Sequence, residues 1–131
     1  MQSEHRTARE SQGHYTGECW VDTILETPVG QGPARTDETI RVYSVFFTPG
    51  DRTDWHIHSK GQFIFVTGGE GRMGNENECS TVRAGDCVYF GPNERHWHGA
   101  SPDHFLMNIV ISMGTLVYDH PVTDEQYTRG F

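Results

Sequence analysis

Lysine is nearly absent: among 131 residues only Lys60 carries an ammonium side chain, and the formal net charge is −8. A chain this acidic repels phosphate backbones and anionic bilayers, which excludes nucleic acid and membrane surfaces as partners. No apolar run reaches the roughly 18 residues of a membrane helix. Residues 1–17, MQSEHRTARESQGHYTG, contain no apolar h-region and read as a polar arm, either disordered or docked on a partner subunit. Cysteine is scarce too. Cys19, Cys79 and Cys87 are odd in number and form no CxxC pair. That argues against a disulfide framework or a cysteine-held zinc, and for a reducing, cytoplasmic compartment. The length suits one domain with its own core.

Amphipathic helix patterning is missing from nearly the whole chain. TIRVYSVFF and QFIFVTG are β-branched and aromatic, the second closed by the glycine-rich GGEG. TPVGQGPARTD is a Gly/Pro loop. TVRAGDCVYFGPN holds a turn at Ala84-Gly85-Asp86, a strand, and a second turn at Gly91-Pro92-Asn93. HFLMNIVIS is apolar enough for burial on both faces. Short strands separated by turns predict an all-β sandwich or barrel, of which the jelly roll is one solution. Residues 18–120 form the predicted barrel. The tail, 121–131, is the single place for a helix, with Thr123 as N-cap and Asp124 and Glu125 in its first turn.

Histidine, by contrast, is plentiful: eight, four of them in two HxH pairs, His56/His58 and His96/His98. On a strand, residues two apart share a face, so each pair presents two imidazoles to one point. Both pairs follow a turn, where a strand starts at a barrel mouth. The pattern points to a metal site. His5, His14 and His120 lie in arm and tail and carry no assigned role; His104, in the polar SPDH turn, reads as solvent-exposed.

PGDRTDWHIHSKGQFIFVTGGEG resembles the first motif of the cupin superfamily, with Gly50, His56, His58 and Gly69 in place and Gln62 where an acid is usual. AGDCVYFGPNERHWHGA resembles the second, with Gly85 opening and His96 as the last ligand. Gly61-Gln62, the run from Arg95 to Ala100, YTGECWVDTILETP upstream and the tail from Val122 to Tyr127 are similar to a small bacterial subgroup. That subgroup includes carboxymuconolactone-decarboxylase-like proteins and manganese-dependent cupin hydroxynitrile lyases. The resemblance implies a single-domain cupin barrel whose ligands are His56, His58, Gln62 and His96. It also implies a dimer or tetramer.

A glutamine ligand offers a neutral carbonyl oxygen, which leaves the site one unit more positive than glutamate does. The metal then remains a stronger Lewis acid. Mixed N/O donors suit Mn²⁺ or Fe²⁺, with Zn²⁺, Ni²⁺ or Co²⁺ competing by availability; about two positions stay open on an octahedral ion. His98 shares a face with His96, either as a general acid/base or as a residue that orients a ligand. Tyr43 and Val45 share a face of TIRVYSVFF; Tyr43 either packs or lends its phenol to substrate. Thr53 contacts substrate or closes a turn. Asn108 stands where the resembled hydroxynitrile lyases carry an inward histidine, and an amide exchanges no proton at neutral pH. Ser112 is a further polar contact on that face.

The leading expectation is a lyase, isomerase or cyclase acting through a divalent metal on a small oxygenated substrate. An iron-dependent dioxygenase and a non-catalytic small-molecule- or metal-binding module are the alternatives.

Overall fold

The structure is a computed structural model that describes residues 6–10, 15–17, 19–28 and 39–130. His5, His14 and the whole loop over residues 29–38 lie outside them. The described residues form twelve strands: β1 (Arg6–Glu10), β2 (Tyr15–Thr16), β3 (Cys19–Pro28), β4 (Thr39–Phe47), β5 (Arg52–Thr53), β6 (His56–His58), β7 (Gln62–Asn75), β8 (Cys79–Arg83), β9 (Cys87–Phe90), β10 (His96–Ala100), β11 (Leu106–Met113) and β12 (Leu116–Tyr118). One helix, α1 (Asp124–Thr128), follows. The hydrogen-bonded path runs β1-β3-β4-β11-β7-β10-β5-β2, with β6 on β10, β12 on β6, and β8 and β9 on β7. The result is the expected all-β jelly roll. Part of the polar arm joins it, since β1 pairs with β3 and β2 with β5.

GGEG is not the turn expected. β7 continues through it, pairing with β9 up to Phe65 and with β11 as far as Gly69, then with β8 from Glu70 and with β10 from Gly71 onward. The bend lets one strand serve both layers. It requires glycine: Gly69 has φ +75°, and a Cβ there would sit 1.9 Å from the Phe105 carbonyl oxygen.

Alternation on β4, β7 and β11 sends Val45, Phe47, Ile64, Val66, Leu106 and Val110 into the barrel. β11 is not buried on both faces, as its apolar run suggested: Met107 and Ile111 on its outer side are exposed among the described residues.

A second cluster joins Trp55, Trp97, Val122 and Tyr127 outside β10. Trp97 points away from the flanking histidines and lies fully buried under α1, its ring 5.8 Å from Tyr127. Loss of such an indole costs about 3–5 kcal/mol. The helix is held as its sequence predicts: Thr123 caps Gln126 in a reciprocal capping box. Buried Arg52 and Arg72 add hydrogen bonds to the carbonyls of Val122 and Tyr127. Both faces of β10 are therefore packed, which fixes the histidines on its inner side.

Candidate metal centre

His56 opens and His58 closes β6, and His96 opens β10 directly opposite His56 in the antiparallel register. All three are buried, and one ring nitrogen from each lies within 4.8 Å of the others. Nδ1 of His56 lies 2.8 Å from the Asp54 carbonyl, and Nδ1 of His96 lies 2.8 Å from that of Glu94. A carbonyl only accepts, so both Nδ1 atoms carry the proton and both Nε2 lone pairs face the shared point. Nε2 of His58 is buried with no hydrogen-bond partner. Phe90 stacks on His96 at 4.0 Å between ring centroids and fixes that ring's plane.

Burial, reinforced by neighbouring imidazoles for the last two, pushes His56 down to about 4, His58 to about 3 and His96 to about 2. Neutral imidazole is the form that binds metal. Three convergent neutral donors, one of them an orphaned buried nitrogen, fit a divalent transition ion.

Gln62 opens β7 just beyond Gly61, whose φ of +95° lets the chain turn back beside His58. Gly61 N donates to the His58 carbonyl at 3.1 Å. Oε1 of Gln62 lies 2.9 Å from Nε2 of His96, and its Nε2 donates to Ser112 Oγ at 2.9 Å. Ser112, read from sequence as a substrate contact, thus orients Gln62. Thr53 is buried and accepts the backbone N–H of His98 at 3.2 Å, joining β5 to the histidine strand. His98 packs edge-on against Phe47, with Nδ1 buried and unpartnered. Desolvation, then the charges of the other histidines, holds its pKa well below the usual imidazole value. Val45 is inward and buried. Asn108, opposite Val45 and Val66, has zero exposure, and both polar atoms of its amide lack partners. His104 and His120 are exposed, away from the site.

Residues 43–110 match the family model described as Cupin domain. A protein of Granulicella tundricola named (R)-mandelonitrile lyase is 35% identical over 129 residues, covering 95% of this chain and 97% of that one. The chain is a small single-domain cupin. This cupin also superposes on a cupin-like protein from Thermotoga maritima with a TM-score of 0.81, at 34% identity and 96% coverage of both chains. A polyketide cyclase from Streptomyces resistomycificus shares the fold, with a TM-score of 0.67 and 17% identity over 97% of this chain and 90% of that one.

Sequence reasoning missed two polar residues at the mouth of the cupin barrel. Tyr43, inward on β4, donates its hydroxyl to Glu26 Oε1 at 2.5 Å. The same Oε1 lies 3.7 Å from Nε of Arg41, whose Nη1 donates to the Gly114 carbonyl at 3.1 Å. Arg41 was legible, two residues before Tyr43 on the same strand face. Glu26 was not. A register shift between Thr23 and Leu25 flips the alternation of β3 and brings Glu26 opposite Arg41.

Proposed function

We propose that this cupin is a metal-dependent enzyme of lyase or isomerase type, with His56, His58, His96 and Gln62 holding one divalent transition ion. The carrying observation is the convergence of three buried imidazoles with the Gln62 oxygen 2.9 Å from His96 Nε2. N/O donors favour Mn²⁺ or Fe²⁺. When bound, the ion polarises a carbonyl, enol or hydroxyl oxygen of a small oxygenated substrate.

The chain's own groups do the rest. Backbone carbonyls hold His56 and His96 in the binding tautomer, and Ser112 holds the Gln62 oxygen inward. His98 takes or returns a substrate proton at Nδ1, and Tyr43 does so at its hydroxyl, in contact with Glu26. The Asn108 amide donates to and accepts from substrate, and Val45 supplies an apolar wall. Thr53 sets the backbone that carries His98. The name of the Granulicella tundricola relative supports a lyase. Since Asn108 exchanges no proton, proton transfer falls to His98 and Tyr43.

The test is metal analysis of protein expressed without supplementation, then turnover of (R)-mandelonitrile and other small hydroxylated or carbonyl compounds under strict anaerobiosis. Turnover without oxygen is expected; substrate-dependent oxygen uptake would instead establish the dioxygenase alternative. The exposed Phe63, Phe65, Tyr89, Met107 and Ile111 support self-association as a homodimer, read by light scattering. Three free thiols are in keeping with a reducing, cytoplasmic setting.

A further inference from the structure

Four polar side chains stand in one cross-strand row at the barrel mouth. Glu26 on β3 pairs with Arg41 on β4, Arg41 with Ser112 on β11, and Ser112 with Gln62 on β7. Directly opposed residues have Cβ atoms ~5 Å apart, so Arg41 is one residue removed from Gln62 across the sheet. Arg41 is only partly exposed at the rim. Its Nη1 is used on Gly114, its Nε faces Glu26 beyond hydrogen-bond distance, and among the described residues no acceptor is bonded to Nη2.

We propose that Arg41 is the carboxylate-binding group of the substrate site, and that the substrate is a compact acid. Its carboxylate sits on the guanidinium edge, and its reacting oxygen lies toward Gln62 and the three histidines. The placement of that oxygen rests on the metal reading above.

Three features support the assignment. The ligand set of three imidazoles and an amide carries no charge, so nothing within it offsets a divalent ion. The site is therefore positive inside a chain of net charge −8, and a substrate anion complements it. A guanidinium offers a planar pair of N–H donors that matches a carboxylate, which an ammonium does not. Glu26, held by the Tyr43 hydroxyl on one oxygen, lies 3.7 Å from Nε of Arg41 through that same oxygen, beyond hydrogen-bond distance.

Calorimetric titration of the Mn²⁺-loaded full chain with 3-hydroxypropanoate and with its neutral primary amide tests this. The acid is expected to bind about ten-fold tighter or more. That ratio is expected to fall to near one in Arg41→Gln and to persist in part in Arg41→Lys. Arg41→Gln is expected to bind Mn²⁺ as the parent chain does, which also shows that it folds. A parent chain that binds Mn²⁺ but prefers neither probe, or binds neither, overturns the role of Arg41 and leaves the metal reading standing. A preference retained in full by Arg41→Gln also overturns it, because the carboxylate is then held elsewhere. Failure to bind Mn²⁺, and likewise Fe²⁺, Zn²⁺, Ni²⁺ and Co²⁺, overturns the metal reading instead. The same two probes on the metal-free chain then decide Arg41 alone: a preference lost in Arg41→Gln supports it, and no preference overturns it.

Discussion

Oε1 of Gln62 faces Nε2 of His96 at 2.9 Å. His96 already commits its Nδ1 proton to the Glu94 carbonyl, so the two facing atoms are both lone-pair bearers. At that separation they repel each other unless a cation lies between them. A divalent ion held by both would relieve that repulsion, with Gln62 supplying an oxygen donor and His96 a nitrogen donor. Ser112 holds the other end of the amide, so its oxygen stays turned toward His96.

Removing that donor should weaken the site without collapsing the barrel. Gln62→Ala is expected to lower Mn²⁺ affinity by about 10–100-fold, and Ser112→Ala by up to about 10-fold through loss of orientation. Gln62→Glu should raise affinity, since it adds a negative charge. Titration calorimetry reads all three, and unchanged affinity in Gln62→Ala would remove glutamine from the ligand set.

Stability of the metal-free chain should depend on pH with a definite sign. Folded, His56 titrates at about 4 and His58 at about 3, against an ordinary value of 6.5. Between 6.5 and about 4 the unfolded chain binds protons that the folded chain refuses, so acid favours unfolding. The contribution is complete above pH 6.5 and shrinks as pH falls, by about 1.4 kcal/mol per pH unit for each such histidine. Melting of chelator-treated protein from pH 8 to 5 checks this; a flat profile contradicts it.

Asn108 sits at zero exposure with both amide atoms unpaired, an arrangement that costs stability in the free chain. Asn108→Leu is expected to stabilise the protein by about 1–3 kcal/mol while turnover falls. Urea unfolding and steady-state rates are the measurements. A loss of stability would mean that the amide is paired within the folded chain.

Tyr43→Phe removes the hydroxyl bound to Glu26 but leaves the ring in place. The expected result is a fall of about 10²-fold or more in kcat with metal content unchanged. Unchanged kcat would reassign proton transfer to His98 alone.

Replacing Thr123 by Ala deletes the helix cap that Gln126 N donates to at 3.1 Å. A cost of about 1 kcal/mol is expected in urea unfolding. Little effect on metal affinity is expected, because α1 touches β10 from the side opposite His96.

The legible part of this molecule is the part written in short-range periodicity. HIH and HWH each put two imidazoles on one strand face, and Gly61-Gln62 returns the chain beside them. Thr123 through Gln126 spell a capping box. GGEG misled because glycines that would end a hairpin also permit a bend within a continuous strand, and only the partners on either side distinguish the two. HFLMNIVIS misled because apolarity alone does not say whether a second layer covers a face.

The sequence by itself determined the all-β class and the two histidine pairs, because alternation and turn chemistry act over a few residues; the amide entered the prospective ligand set through the resemblance to cupin motifs. Tertiary structure alone decided that Ser112 would orient Gln62 from 50 positions away, and that Glu26 would face Arg41 and Tyr43. The first depends on which strands become neighbours. The second depends on a one-residue register shift, and a shift of one residue reverses the faces of every side chain beyond it.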